Sequence, residues 1–66
     1  MTVTVNGEQR EVEDGMSIFG LLELLRLKPQ VTIVEKNAEI VERLKYEDTP
    51  LADGDVLELV RLVGGG

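Results

Sequence analysis

The chain has 66 residues, a net charge of −6 and neither cysteine nor histidine, so one small domain is expected, without disulfides, the commonest metal ligand or the usual neutral-pH general base. The acidic balance argues against binding nucleic acid or anionic membranes, both of which call for a cationic footprint, and suits docking onto a basic groove of a protein partner. No apolar run approaches the roughly 20 residues of a membrane span, and no cationic segment precedes an apolar one at the start, so a cytoplasmic protein is expected.

Thr2-Val3-Thr4-Val5 alternates polar and apolar residues, the period of a half-buried strand. Asn6-Gly7 follows, a pair suited to the two positive-φ positions of a type I′ hairpin turn. Glu8 to Glu13 returns as a mostly polar second strand with Val12 inward, and its charges suit a sheet edge. Asp14-Gly15 closes the hairpin, and Ser17 is a good N-cap for a helix over Ile18 to Leu27. Ile18, Leu21, Leu22 and Leu25 form one helical face, and Phe19 and Leu24 widen it, so the helix is expected to be wrapped by sheet over much of its girth. Gly20 weakens that helix and removes a Cβ where a strand could approach, while Pro29 is expected to end the segment.

Val31-Thr32-Ile33-Val34 is β-branched throughout and reads as a central strand. Glu35-Lys36-Asn37 turns the chain, and Ile40-Val41 begins a short strand. The polar stretch from Glu42 to Thr49 reads as an irregular or 3₁₀ turn pinned by Leu44 and Tyr46. Asp53-Gly54-Asp55 is a turn with glycine at its positive-φ position, and Val56 to Leu62 is the last strand. The order is therefore β-β-α-β-β-β. Parallel pairing of the first and last strands would place them at the sheet centre with the helix on one face. This is an α+β, ubiquitin-like β-grasp: a mixed sheet of four to five strands with one main helix, residues 1–63 forming the domain and 64–66 a flexible glycine tail.

Few residues offer chemistry of their own. Asp53 and Asp55 lack the remaining ligands of a calcium loop, so no metal site is expected. Glu11, Glu13 and Asp14 cluster on an expected edge and read as a solvated face. Ser17 has no histidine to activate it, and the glycines at the end have no following Lys-Ser/Thr or helix, so they are no phosphate loop. No catalytic residue is expected, and no cofactor bound by the chain itself.

Val63-Gly64-Gly65-Gly66 sits flush on the last strand. Glycine cannot help to hold a fold, but it makes a thread thin enough to enter another protein's active site. From Leu62 to Gly66 the extended chain spans about 15–18 Å. In the preceding strand Leu57 and Leu59 share the expected core face. Val60 and Leu62 fall on the other, beside Glu58, and with Val63 they make a candidate partner patch that Val34 could join. Gly64, Gly65 and Gly66 are then the segment that threads the partner.

The Val5-Asn6-Gly7 hairpin, Ile18 to Leu25, Val31 to Glu35 before Lys36-Asn37, Glu39-Ile40-Val41, Tyr46, Leu51, Asp53-Gly54-Asp55 and the final glycines together resemble the ThiS/MoaD family of β-grasp proteins over essentially the whole length. The compact size and the aliphatic Leu62-Val63 are closer to the ThiS branch, the sulfur carriers of thiamin thiazole biosynthesis. The resemblance implies a protein cosubstrate rather than an enzyme. A ThiF-like adenylating enzyme using ATP and Mg²⁺ would convert the Gly66 carboxylate to an acyl adenylate. A persulfide from a cysteine-desulfurase-type donor would displace AMP to give a thiocarboxylate, and the thiazole synthase ThiG would receive the sulfur. The alternatives are a MoaD-type small subunit of molybdopterin synthase, a ubiquitin-like modifier joined to target lysines, and a β-grasp module with an inert tail.

Overall fold

The computed structural model describes residues 1–63. Strands β1 (Thr2–Val5) and β2 (Glu8–Glu11) form the first hairpin, turning at Asn6 and Gly7 with φ of 49° and 83°. Helix α1 (Ile18–Leu24) follows, then β3 (Thr32–Lys36), β4 (Glu39–Val41) and β5 (Val56–Arg61). The sheet order is β2-β1-β5-β3-β4, with β1 parallel to β5 and the other neighbours antiparallel. This is the expected ubiquitin-like β-grasp. The polar β2 lies at one edge, and Val12 just beyond it turns into the core.

Period-two alternation sorts the strands into two faces. Val3, Val5, Val34, Leu57 and Leu59 point to one side, where Ile18, Leu21 and Leu22 of α1 complete a buried core. The other side carries no layer among the described residues. Asn6 ties the central strands together: its Oδ1 accepts the Leu59 N–H at 2.7 Å and its Nδ2 donates to the Leu59 carbonyl at 3.3 Å.

The four N–H groups that begin a helix have no intrahelical partners of their own, and here neighbouring segments supply them. The Ile18 N–H donates to the Thr49 carbonyl and the Phe19 N–H to that of Tyr46, both at 3.0 Å, while the Gly20 N–H donates to Ser17 Oγ at 3.0 Å. The Ser17 cap is as expected, and the Ile18 and Phe19 bonds hold the 42–50 segment against the start of the helix. That segment contains the expected 3₁₀ turn, at Arg43–Lys45. Tyr46 anchors it with a buried ring, and its hydroxyl donates to the Thr32 carbonyl at 2.8 Å. Burial raises the Tyr46 phenol above its ordinary pKa. Leu44, expected to be a second anchor, is instead 85% exposed.

Other expectations are corrected as well. The helix stops at Leu24 rather than Leu27, because Arg26 turns left-handed at φ 59°. The Arg26 N–H then donates to the Glu23 carbonyl and the Leu27 N–H to that of Leu22, the paired closure of a Schellman end. This brings Leu27 onto the core, and leaves Leu24 exposed rather than wrapped by sheet. Pro29 does not end the helix but opens a 3₁₀ turn, Pro29–Val31, so β3 begins one residue later than Val31; it also runs on through Glu35 and Lys36, expected to turn the chain, and the turn falls at Asn37 and Ala38 with φ of 53° and 71°. A Cβ at Gly20 would meet Met16 Cγ at 3.2 Å, so a side chain of the preceding loop, not a strand, fills that space.

Asp55 joins three segments at the start of β5. Its carboxylate accepts from Asn37 Nδ2 at 3.0 Å and the Ala52 N–H at 2.8 Å, and the Lys36 ammonium lies 3.9 Å away. Burial pushes this carboxyl up, but the Ala52 and Asn37 hydrogen bonds and the Lys36 charge together hold it below its ordinary value. A depressed folded-state pKa adds stability above the unfolded value of about 3.9, and that stability is lost as pH falls through the folded value. In urea titrations from pH 7 downward, Asp55→Asn should therefore flatten the acid loss of stability seen in the wild type; an unchanged profile would assign that loss to other carboxylates. Arg26→Gly should raise stability by about 1 kcal/mol, since a left-handed non-glycine residue costs about that much, and a thermal melt reads it.

Candidate functional site

The bare face of the sheet is built by parity. With Leu57 and Leu59 directed to the helix, Val56, Glu58 and Val60 must point away, and all three are exposed. Val60 is 52% exposed, Leu62 50% and Val63 91%. Beyond the end of β5 the Leu62 N–H donates to the Val31 carbonyl at 2.6 Å, so the ladder runs on to Leu62 before the chain leaves the sheet. Val60 and Leu62, of like parity, therefore share the bare face at the exit of the central strand, and the exposed Val63 follows beyond the ladder. Gly64, Gly65 and Gly66, the candidate threading segment, lie outside the described residues.

Val34 does not join this surface; it is fully buried under the helix. The run Val31–Val34 is β-branched at every position, so composition could not say which parity faces in. The register decides it: Val34 lies opposite Leu59 and Ile33 opposite Val60. Ile33 thus takes the place proposed for Val34. Ile40, 72% exposed, stands opposite Glu35 on the same face. Both were missed, and only a known strand register could have found them. Lys28, Val31 and Arg61 join Leu62 and Val63 around a shallow hollow at the chain's exit. This places two cations at the root of the glycine segment of an otherwise acidic chain.

The remaining candidates are structural. Gly54 has φ 86°, Asp53 Oδ1 accepts the Thr2 N–H at 2.7 Å, and Asp55 holds Ala52 and Asn37, so Asp53-Gly54-Asp55 is a turn that locks β1 beside β5. Glu11, Glu13 and Asp14 are exposed. Among the described residues no group of three His, Cys, Asp or Glu side chains is placed to hold a metal ion. No helix among them is long and apolar enough to cross a membrane.

The single-helix β-grasp is an arrangement shared with known proteins. The family model described as "ThiS family" matches residues 3–66. The chain belongs to the ThiS family. It is similar to the sulfur carrier protein ThiS of Bacillus subtilis (strain 168), 41% identical over 54 residues and 82% of each chain. The crystal structure of the thiamine biosynthesis protein ThiS from Geobacter metallireducens superposes with a TM-score of 0.85 at 33% identity, covering all of both chains. The chain is also 38% identical over its whole length to a thiazole synthase of Paramagnetospirillum magneticum, of which it spans only 20%. The ThiS fold is therefore found both in proteins of this size and as one part of much longer ones.

Half-exposed aliphatics on a bare sheet contribute little to folding, whereas the same residue type under the helix contributes much. Val60→Ser should change unfolding free energy by less than about 1 kcal/mol. Val34→Ala should cost about 2 kcal/mol or more through the cavity it leaves. Urea denaturation of the two variants measures the contrast, and a Val60 cost equal to that of Val34 would make the patch part of the core.

Proposed function

We propose that this chain is a sulfur carrier for thiamin thiazole synthesis, with Gly66 as the residue that bears the cargo. The observation that carries this reading is the family match running through residue 66, in a segment that follows Val60, Leu62 and Val63 in the sequence. The likeness to thiazole synthases over the full length of the chain supports such an enzyme, of the ThiG type, as the acceptor. The finer steps are our proposal.

Activation precedes sulfur loading, because a carboxylate oxygen is a poor leaving group. In a ThiF-like adenylating enzyme, a Gly66 carboxylate oxygen attacks the α-phosphate of Mg²⁺-bound ATP and pyrophosphate departs. The terminal sulfur of a protein persulfide, formed by a cysteine-desulfurase-type donor, attacks the acyl carbon and AMP departs. A thiol reductant then cleaves the S–S bond, leaving the thiocarboxylate on Gly66 and a disulfide between donor and reductant. The absence of a side chain leaves the Gly66 carbonyl open to attack. The domain contributes no catalytic group to these steps: it is a protein cosubstrate that presents the carboxylate and docks through Val60, Leu62 and Val63. Its ATP-dependent chemistry belongs in the cytoplasm.

The test is an intact-mass measurement after incubation with ATP, Mg²⁺, the adenylating enzyme and a persulfide donor. Exchange of one oxygen for sulfur supports the carrier role, and its absence in a mixture that loads another ThiS sinks it. Thiazole formation on adding thiazole synthase separates this role from a molybdopterin synthase subunit, and isopeptide adducts on target lysines would favour a modifier. Deleting Gly66 should abolish sulfur loading while leaving the melting temperature nearly unchanged; a large loss of stability would place the end of the chain within the fold.

A further inference from the structure

Glu35 and Glu58 are directly opposite each other on the bare face, one step along from the Ile33–Val60 pair. Paired residues of adjacent antiparallel strands hold their Cβ atoms about 4.5–5.5 Å apart, and like charges in that position are destabilising. The surroundings supply no relief. Neither glutamate takes part in an ion pair among the described residues. On the far side of Glu35 stands the apolar Ile40. Beside Glu58, toward β1, the Asn6 side chain is already committed to the Leu59 backbone. The sheet therefore holds two uncompensated carboxylates within an exposed aliphatic surface.

We infer that Glu35 and Glu58 together receive one basic side chain, best an arginine, of the unlike protein that docks on this face, while its aliphatic residues cover Ile33, Val60 and Leu62. Arginine suits the position because its planar fork can donate to two carboxylates at once. The same pair turns away a second copy of this chain. A two-fold dimer apposes identical patches, which would bring four carboxylates together between chains that each carry a net charge of −6. Nucleic acid and anionic lipid are repelled on the same ground. The identity of the unlike protein as the adenylating enzyme rests on the carrier reading above.

Glu35→Gln and Glu58→Gln, singly and together, test the inference by calorimetric titration of the ThiF-type adenylating enzyme of the same organism, alongside thermal melts. Each single variant should bind about tenfold more weakly. The double variant should bind little more weakly than either, because one cation serves both carboxylates, and melting temperatures should hold or rise by up to about 5 °C as the repulsion is removed. Weaker binding without a loss of stability is a combination that a merely structural role would not produce. Unchanged affinity, or a loss of affinity matched by a falling melting temperature, overturns the inference. Sedimentation gives an independent arm: Glu35→Leu with Glu58→Leu should self-associate at concentrations where the wild type is monomeric. A wild type that already dimerises there, or a double-leucine variant that stays monomeric, overturns the exclusion of copies. A wild type that neither binds the enzyme nor gains sulfur refutes the carrier reading instead, and the melts and sedimentation then decide the role of the pair.

Discussion

The parallel pairing of β1 with β5 joins the two ends of the domain, and the rest of the structure is arranged around it. The Thr4 N–H donates to the Asp55 carbonyl and the Asn6 N–H to that of Leu57, each at 2.9 Å, across some fifty residues whose ordering these bonds must help to offset. Side chains secure the same junction from both flanks. Asn6 grips the backbone of Leu59 from the β1 side, while Asn37 reaches from the β3–β4 turn to the Val56 N–H and to Asp55. Because β5 is central, its inward residues anchor the core and its outward residues lie at the middle of the bare face. The chain leaves the sheet at this best-supported strand.

One seven-residue helix covers only one side of a five-stranded sheet. The inward positions are filled by Val3, Val34, Leu57 and the helix residues Ile18, Leu21 and Leu22, all fully buried, and they supply most of the apolar burial on which so small a domain depends. The outward positions are freed from packing and can carry features that do not serve folding, such as half-exposed aliphatics and the facing glutamates. A rigid handle with one dry and one wet face follows from having a single helix. Substitutions on the wet face therefore leave the core undisturbed.

Much of this was legible from the chain because local chemistry and tertiary placement agree. Asn6-Gly7 adopts the positive φ values that its residue types favour, Ser17 caps the helix, and Asp53-Gly54-Asp55 turns as read. The misreadings fall where several outcomes suit the same residues. Apolar spacing continues to Leu25 and Leu27, but Arg26 turns left-handed and delivers Leu27 to the core by a different route. Leu44 looked like an anchor because it is a leucine in a polar stretch, yet the three-residue turn needs only Tyr46, whose ring and hydroxyl both find partners inside.

The sequence by itself determined the order of elements, the helix cap, the Asn6-Gly7 and Asp53-Gly54-Asp55 turns and the inward parity of β5, since each is set by a few adjacent residues with strong conformational or hydrophobic preference. It also carried the family resemblance and the candidate role of Gly66. Tertiary structure alone decided the facing of the uniformly β-branched β3, and with it the exchange of Val34 for Ile33 on the bare face. It alone placed Glu35 against Glu58 and gathered Lys28 with Arg61 at the exit. These depend on strand register, which is settled by hydrogen bonds and burial between residues far apart in the chain, and no local preference encodes it.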